Sequence, residues 1–347
     1  MENPYHSSDT QTGHLFFGRN NTFDWLQRQL AQAPGEPIIL LGAARVGKTA
    51  VLHQIKNGRL GHHFIAIYLD LHQLVLSSIS TFLYEISTTA LKQLNENGHE
   101  FPLPHQNSFV AQPFAAFGKQ FLQPVTTTLQ NTPLLLLCDN LDALILQMQN
   151  GILPPDTLDT FIQTCQEHNN IRLIFTLTFP NEAINPENLM FLDHTPHREI
   201  GPLSQEAALE LIRQPVEYII VKDVAEYIYR LTEGYPEKIH QICHTLFEHH
   251  LENQLHQVTI ADVAIISRQQ SETAVPPSLP VYDVQTPRAR RARLWYAYRP
   301  GIILVLLLIT LAGIAYINGN NRNKLLGNTP ASQQTPQAET AVLPTPT

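Results

Sequence analysis

The stretch GAARVGKT, Gly42 to Thr49, has the residue types and spacing to bind phosphate. It matches GxxxxGK[ST] at every defined position. Glycine lets the backbone wrap an anion with no Cβ in the way. The N–H groups of Gly42, Ala43, Ala44, Arg45, Val46 and Gly47, and of the helix start through Ala50, offer partial positive charge. Lys48 adds a full charge at the β- and γ-phosphates of ATP, and Thr49 offers its hydroxyl to Mg²⁺. A GxGxxG dinucleotide site is excluded by the spacing and by Lys48.

A second stretch, PLLLLCDNLDAL from Pro133 to Leu144, runs leucines and a cysteine straight into Asp139. Downstream of a phosphate loop, an acid ending an apolar strand holds Mg²⁺, mostly through water. In many ATPases a second acid follows and activates the attacking water, but here the residue is Asn140. An amide can orient a water but cannot take its proton. Three readings stay open: Asp142 supplies the carboxylate, hydrolysis is slow and ATP acts as a bound switch, or positioning and electrostatics suffice.

These residues need a parallel sheet to position them. Short apolar runs at Pro37–Gly42, His63–Leu71, Leu134–Cys138, Ile171–Thr176 and His197–Ile200 read as strands. They alternate with helical patterns at Phe23–Ala33, Leu74–Leu94 and Thr157–Cys165, and with a stretch at Ser108–Val125 that prolines would interrupt. Strands apolar throughout predict an α/β fold whose sheet is covered by helices on both faces. From Ser204 the pattern becomes wholly helical. Expected boundaries are a loose N-terminus at 1–14, a nucleotide-binding core at 15–203, a helical lid at 204–270 and a linker at 271–299 that turns basic.

Residues 300–318 are expected to form one transmembrane helix. Gly301 to Ile317 carries no charge and sits at the short end of the roughly 17–25 residues that span a bilayer. Five arginines precede it between Arg288 and Arg299, with Trp295, Tyr296 and Tyr298 at interface depth. That asymmetry predicts a single pass through the inner membrane, with the nucleotide-binding part in the cytoplasm and a disordered tail, 319–347, outside. The polar start MENPYHSSDT lacks the apolar region of a signal peptide.

Cys138, Cys165 and Cys243 lie too far apart for a metal or disulfide framework and read as buried thiols. The net charge of −8 lacks the footprint of a nucleic-acid binder, and in 204–270 acids outnumber bases about two to one. DNA is therefore not the expected partner. His240, His244 and Glu248 recur at four-residue spacing, a pattern more often a solvated face than a metal site.

In order along the chain, FFGRNNTFDWLQRQL, IILLGAARVGKTAVLHQI, FIAIYLDL, LLLLCDNLDAL, IRLIFTLT, REIGPLSQEAALELIRQPVE and LTEGYPEKIHQICHTL resemble the blocks of bacterial AAA+/STAND-type P-loop ATPases. These are relatives of the archaeal-ATPase and origin-initiator-like group, and the resemblance spans residues 15–270. It implies a P-loop NTPase sheet followed by a helical lid with a winged-helix-like unit. It implies that Gly18 and Arg19 belong to a box near the adenine, with a plain turn as the alternative. Thr178 would sense the γ-phosphate, or be an ordinary strand-end threonine. Pro236, in the Gly234–Pro236 turn, would belong to the lid motif that closes on nucleotide, or to a plain helix–helix turn. Arg45 and Arg198 are candidates for contacts across a homo-oligomer interface, with solvated surface as the alternative. Asn140 departs from the pattern, and no arginine takes the place of a finger. The expected function is a membrane-anchored ATP-binding switch that slowly converts ATP to ADP and phosphate, with Lys48, Asp139, Asn140 and Thr178 at its centre. The alternatives are a non-hydrolysing scaffold for an unidentified protein partner, or an ATPase for assembling an envelope or secretion complex.

Overall fold

A computed structural model describes residues 3–5, 15–33, 35–130, 132–168, 170–253 and 257–273. Five strands, β1 (Ile38–Gly42), β2 (Ile65–Asp70), β3 (Leu134–Asp139), β4 (Ile171–Thr178) and β5 (His197–Glu199), form one parallel sheet in the order β2-β3-β4-β1-β5. β1 and β3 are buried at every position, which is why neither shows an apolar–polar alternation.

The period-2 geometry of a strand divides each one between two cores. Ile39, Leu41, Leu136, Cys138 and Phe175 join one cluster; Ile38, Leu40, Leu135, Leu137 and Ile174 join the other. The first is closed by α3 (Ile79–Glu96), α6 (Leu141–Gln149) and α7 (Thr157–Gln166), the second by α1 (Asn20–Gln32) and α2 (Lys48–Lys56). Burial on both faces keeps the sheet rigid, and its carboxyl edge is where α/β folds of this kind hold ligands.

Several boundaries differ from expectation. α3 begins at Ile79 rather than near Leu74, because Ser78 caps it: its Oγ accepts from Thr81 N at 3.1 Å. In the stretch expected to be broken by prolines, Pro113 starts a new helix after the 3₁₀ turn Gln106–Phe109, but Pro124 does not interrupt the run that follows. α4 (Pro113–Phe117) passes through a π-helical turn, Gly118–Leu122, into α5 (Gln123–Leu129). The wide turn ends two residues before Pro124, which has no N–H to give the ladder.

The region expected to form the lid comprises α8 (Gln205–Arg213), α9 (Lys222–Thr232), α10 (Pro236–Asn253) and α11 (Ile260–Thr273). It is not wholly helical: Ile219–Ile220 (β6) and Gln257–Val258 (β7) form a parallel pair too short to show a period in sequence. Ser204 caps α8, and Thr259 and Asp262 exchange bonds in a capping box at α11.

Residues 3–5, within the stretch expected to be loose, are seated in the lid. Tyr5 is 2% exposed and donates its hydroxyl to Ile212 O at 2.8 Å, while Asn3 Nδ2 donates to Glu248 Oε1 at 2.6 Å. The predicted transmembrane segment 300–318 and the tail 319–347 lie outside the described residues, as does the linker beyond Thr273. Among the described residues, no helix is long and apolar enough to cross a membrane.

Candidate nucleotide site

The loop from Gly42 to Gly47 leaves β1 and opens α2. Gly42 is needed for close approach, since a Cβ there would stand 2.3 Å from Ile200 O. Gly47 caps α2 at φ 99°, a left-handed conformation that glycine adopts without strain. Lys48 is buried, and its Nζ donates to Gly42 O at 2.8 Å and Ala43 O at 2.9 Å. Burial lowers its pKa, with Asp142 and Asp139 pulling the other way. A phosphate in the loop would give this ammonium the opposite charge that neutral carbonyls lack.

Asp139 is 1% exposed at the end of β3. Its Oδ2 accepts from Thr49 Oγ1 at 2.7 Å and from the Tyr68 hydroxyl at 2.8 Å. Its Oδ1 accepts from Thr176 Oγ1. Burial and the Asp139 carboxylate hold the Tyr68 phenol far above its ordinary range, so it stays a donor. The set is all oxygen and anchored on one carboxylate, which fits a hard divalent cation such as Mg²⁺. Thr49 and Asp139 would hold that ion.

Asn140 lines the cleft but is held through both its backbone and its side chain. It takes a left-handed backbone, φ 61°, which asparagine tolerates better than most side chains. Its backbone N donates to Thr176 Oγ1 at 2.9 Å, and its Nδ2 donates to Asp70 Oδ1 at 2.8 Å. Asp142 is buried: its Oδ1 accepts from Thr178 N at 3.3 Å, and its Oδ2 lies 3.7 Å from His72 Nε2.

The other wall comes from the start of the chain and the lid. Arg19 Nη2 donates to Val46 O at 2.7 Å and Gly201 O at 2.9 Å. Burial pushes its pKa down to about 10, which leaves it charged. Gly18 abuts Ala207 of α8, and Pro236, at the start of α10, lies beside Gly47. Arg45 Nη1 pairs with Glu237 Oε1 of the lid at 2.7 Å. Arg198 lies over the Trp25 ring, 5.6 Å from its centroid. The two arginines considered for an interface between copies are thus engaged within the chain.

These walls enclose a cleft of about 1050 Å³, into which Lys48, Thr49, Asn140, Thr178, Arg19 and Pro236 all face. His240, from α10, also lines it; its buried ring is pushed down to about 4, so it is neutral at physiological pH. Four residues escaped sequence reasoning: Tyr68, Asp70, His72 and Thr176. Asp70 left a signal, because β2 ends in aspartate as β3 does, and the register sets Asp70 beside Asp139. Thr176 lies two before Thr178 on a buried strand, where its polarity was the only mark.

Solved structures of similar fold include the Walker-type ATPase of Pyrococcus abyssi, at TM-score 0.53 and 13% identity over 79% of this chain and 75% of that one. The ORC2 protein of Aeropyrum pernix, in ADPNP–ADP complexes, matches at TM-score 0.51 and 11% identity over 75% and 71%. Cdc6p of Pyrobaculum aerophilum matches at TM-score 0.51 and 16% identity over 75% and 70%. No individual curated protein matches the chain. Residues 16–242 match the family described as an ATPase domain predominantly from Archaea, and the chain belongs to that family.

Proposed function

We propose that the protein binds ATP with Mg²⁺ in the cleft between sheet and lid, hydrolyses it slowly, and acts as a nucleotide-dependent switch. The observation that carries the reading is the bond from Thr49, the last residue of the phosphate loop, to Asp139 at 2.7 Å. It puts the two side chains expected to share a metal ion on one spot, 90 residues apart in sequence. When bound, Mg²⁺ would draw charge from the phosphates during transfer. Lys48 would bind the β- and γ-phosphates, Thr178 would face the terminal phosphate, and Arg19 would hold the loop's shape.

Slow turnover is supported by Asn140, whose amide is tied to Asp70 and offers no base. The switch reading is supported by the lid, which touches the loop through Arg45–Glu237 and through Pro236 beside Gly47. Nucleotide would then change how the lid sits and present a surface to a protein partner. Anchoring in the inner membrane through residues 300–318, with the domain in the cytoplasm, belongs to the same proposal. It rests on the uncharged run and its arginine flank.

The test is nucleotide binding and turnover by the purified full-length chain. Lys48→Ala should abolish ATP binding, and Asn140→Glu should raise turnover above wild type. Unchanged ATP affinity in Lys48→Ala sinks the site assignment. Membrane fractionation against a chain ending at residue 299 checks the anchor; co-sedimentation of the shortened chain with membranes rejects it.

A further inference from the structure

The residues that would hold phosphate and metal leave none to take a proton from water. On the sheet side of the cleft, beyond the loop, the lining side chains are His72, Asn140 and Thr178. Of these only an imidazole can act as a base. Glu237, His240 and His244 also line the cleft, but they come from α10 in the lid, and Glu237 is paired with Arg45. Asp139 is held by three hydroxyls, and Asp70 accepts from Asn140 and from His72 N.

His72 is also held in place. It stands on the turn after β2, where its backbone N donates to Asp70 Oδ1 at 3.0 Å. Its ring is half exposed to the cleft, and Nε2 lies 3.7 Å from Asp142 Oδ2, beyond hydrogen-bond distance. Asp142 is itself fixed, on the first turn of α6, by accepting from Thr178 N with its other oxygen. With Nε2–H toward Asp142, the lone pair of the neutral ring is on Nδ1.

Resting on the proposed ATP hydrolysis, we propose that His72 is the general base of this site and that Asp142 is the residue that positions it. His72 Nδ1 takes one proton from a water molecule. The water oxygen bonds to the γ-phosphorus, and the bond from that phosphorus to the β–γ bridging oxygen breaks. The bridging oxygen leaves with the electron pair as part of ADP, and the ring returns its proton to solvent. With the base supplied from the turn after β2, Asn140 is free to join β2 to β3 through Asp70.

Steady-state turnover by the full-length chain tests this. His72→Ala should lower kcat by about 100-fold or more while leaving KM for ATP unchanged. Free imidazole should restore part of the lost rate, since the vacated position is open to solvent. Asn140→Glu introduced into His72→Ala should restore turnover by a separate carboxylate. Asp142→Asn should lower kcat by a smaller factor, again without raising KM. Wild-type kcat in His72→Ala overturns the assignment while leaving ATP hydrolysis intact. A loss in His72→Ala that comes with lost ATP binding and resists both imidazole and Asn140→Glu also overturns it, as a structural effect. Wild-type protein that binds ATP but never turns it over defeats the hydrolysis reading and this one together.

Discussion

Asp70 and Asp139 stand side by side at the carboxyl ends of β2 and β3, and the protein satisfies them with different chemistry. Asp139 accepts only hydroxyl donors, from Thr49, Tyr68 and Thr176. Asp70 accepts N–H donors, from the Asn140 side chain and the His72 backbone. Hydroxyls are neutral and can turn their lone pairs toward a cation; an N–H cannot. The pair therefore divides into an acid prepared for a metal and an acid that braces the turns around it.

That division predicts how Mg²⁺ and nucleotide affinity are linked. In wild type, chelating Mg²⁺ with EDTA should weaken ATP binding. In Asp139→Asn it should make little difference, because the charge that gathers the ion is gone. Titration of a fluorescent ATP analogue with and without EDTA checks it; equal metal dependence in both proteins rejects Asp139 as the ligand.

Gly42 carries a steric prediction. Gly42→Ala would set a methyl 2.3 Å from Ile200 O, beside the bond from Ile200 N to Leu41 O. The chain following β5 must shift away from β1, at a cost of about 1–3 kcal/mol. Urea unfolding should show the loss, with ATP affinity falling as the loop moves.

Arg19 should matter to folding and to binding alike. Arg19→Met keeps most of the aliphatic stem but leaves Val46 O and Gly201 O without this donor. Leaving such groups unsatisfied costs about 1–3 kcal/mol. Because Val46 is within the phosphate loop, ATP affinity should drop as well; isothermal titration alongside a melting curve would separate the two effects.

His240 predicts an acid-sensitive lid. The folded ring takes a proton only near about 4, while the unfolded chain takes one near about 6.5. Between those values the unfolded state binds more protons, so the stability is intact above about pH 6.5 and falls as the pH drops toward 4. The loss is on the order of 3 kcal/mol. Melting curves across this window should flatten for His240→Phe; an equally steep decline in that variant excludes His240 as the source.

The phosphate loop and the β3 acid were legible because both are local patterns: a fixed spacing in one case, an apolar run with a charged end in the other. The strands were legible because burial on both faces leaves them apolar throughout. What could not be read was set by register. Tyr68, Thr176 and His72 reach the site only because β2, β3 and β4 align side by side, and no spacing within one segment encodes that. Tyr5 was hidden for a related reason: its partners lie 206 and 207 residues away, and its own neighbourhood is polar.

That separation orders events during synthesis. Asn3 and Tyr5 leave the ribosome long before their seats, on Leu211, Ile212, His244 and Glu248, are made. The sheet can assemble as it emerges, since domains form from the N-terminus onward. The segment with Asn3 and Tyr5 must wait, unpacked, until α8 and α10 are both available. Its docking completes the lid's core, where Tyr5 is buried with Leu211 and Ile212.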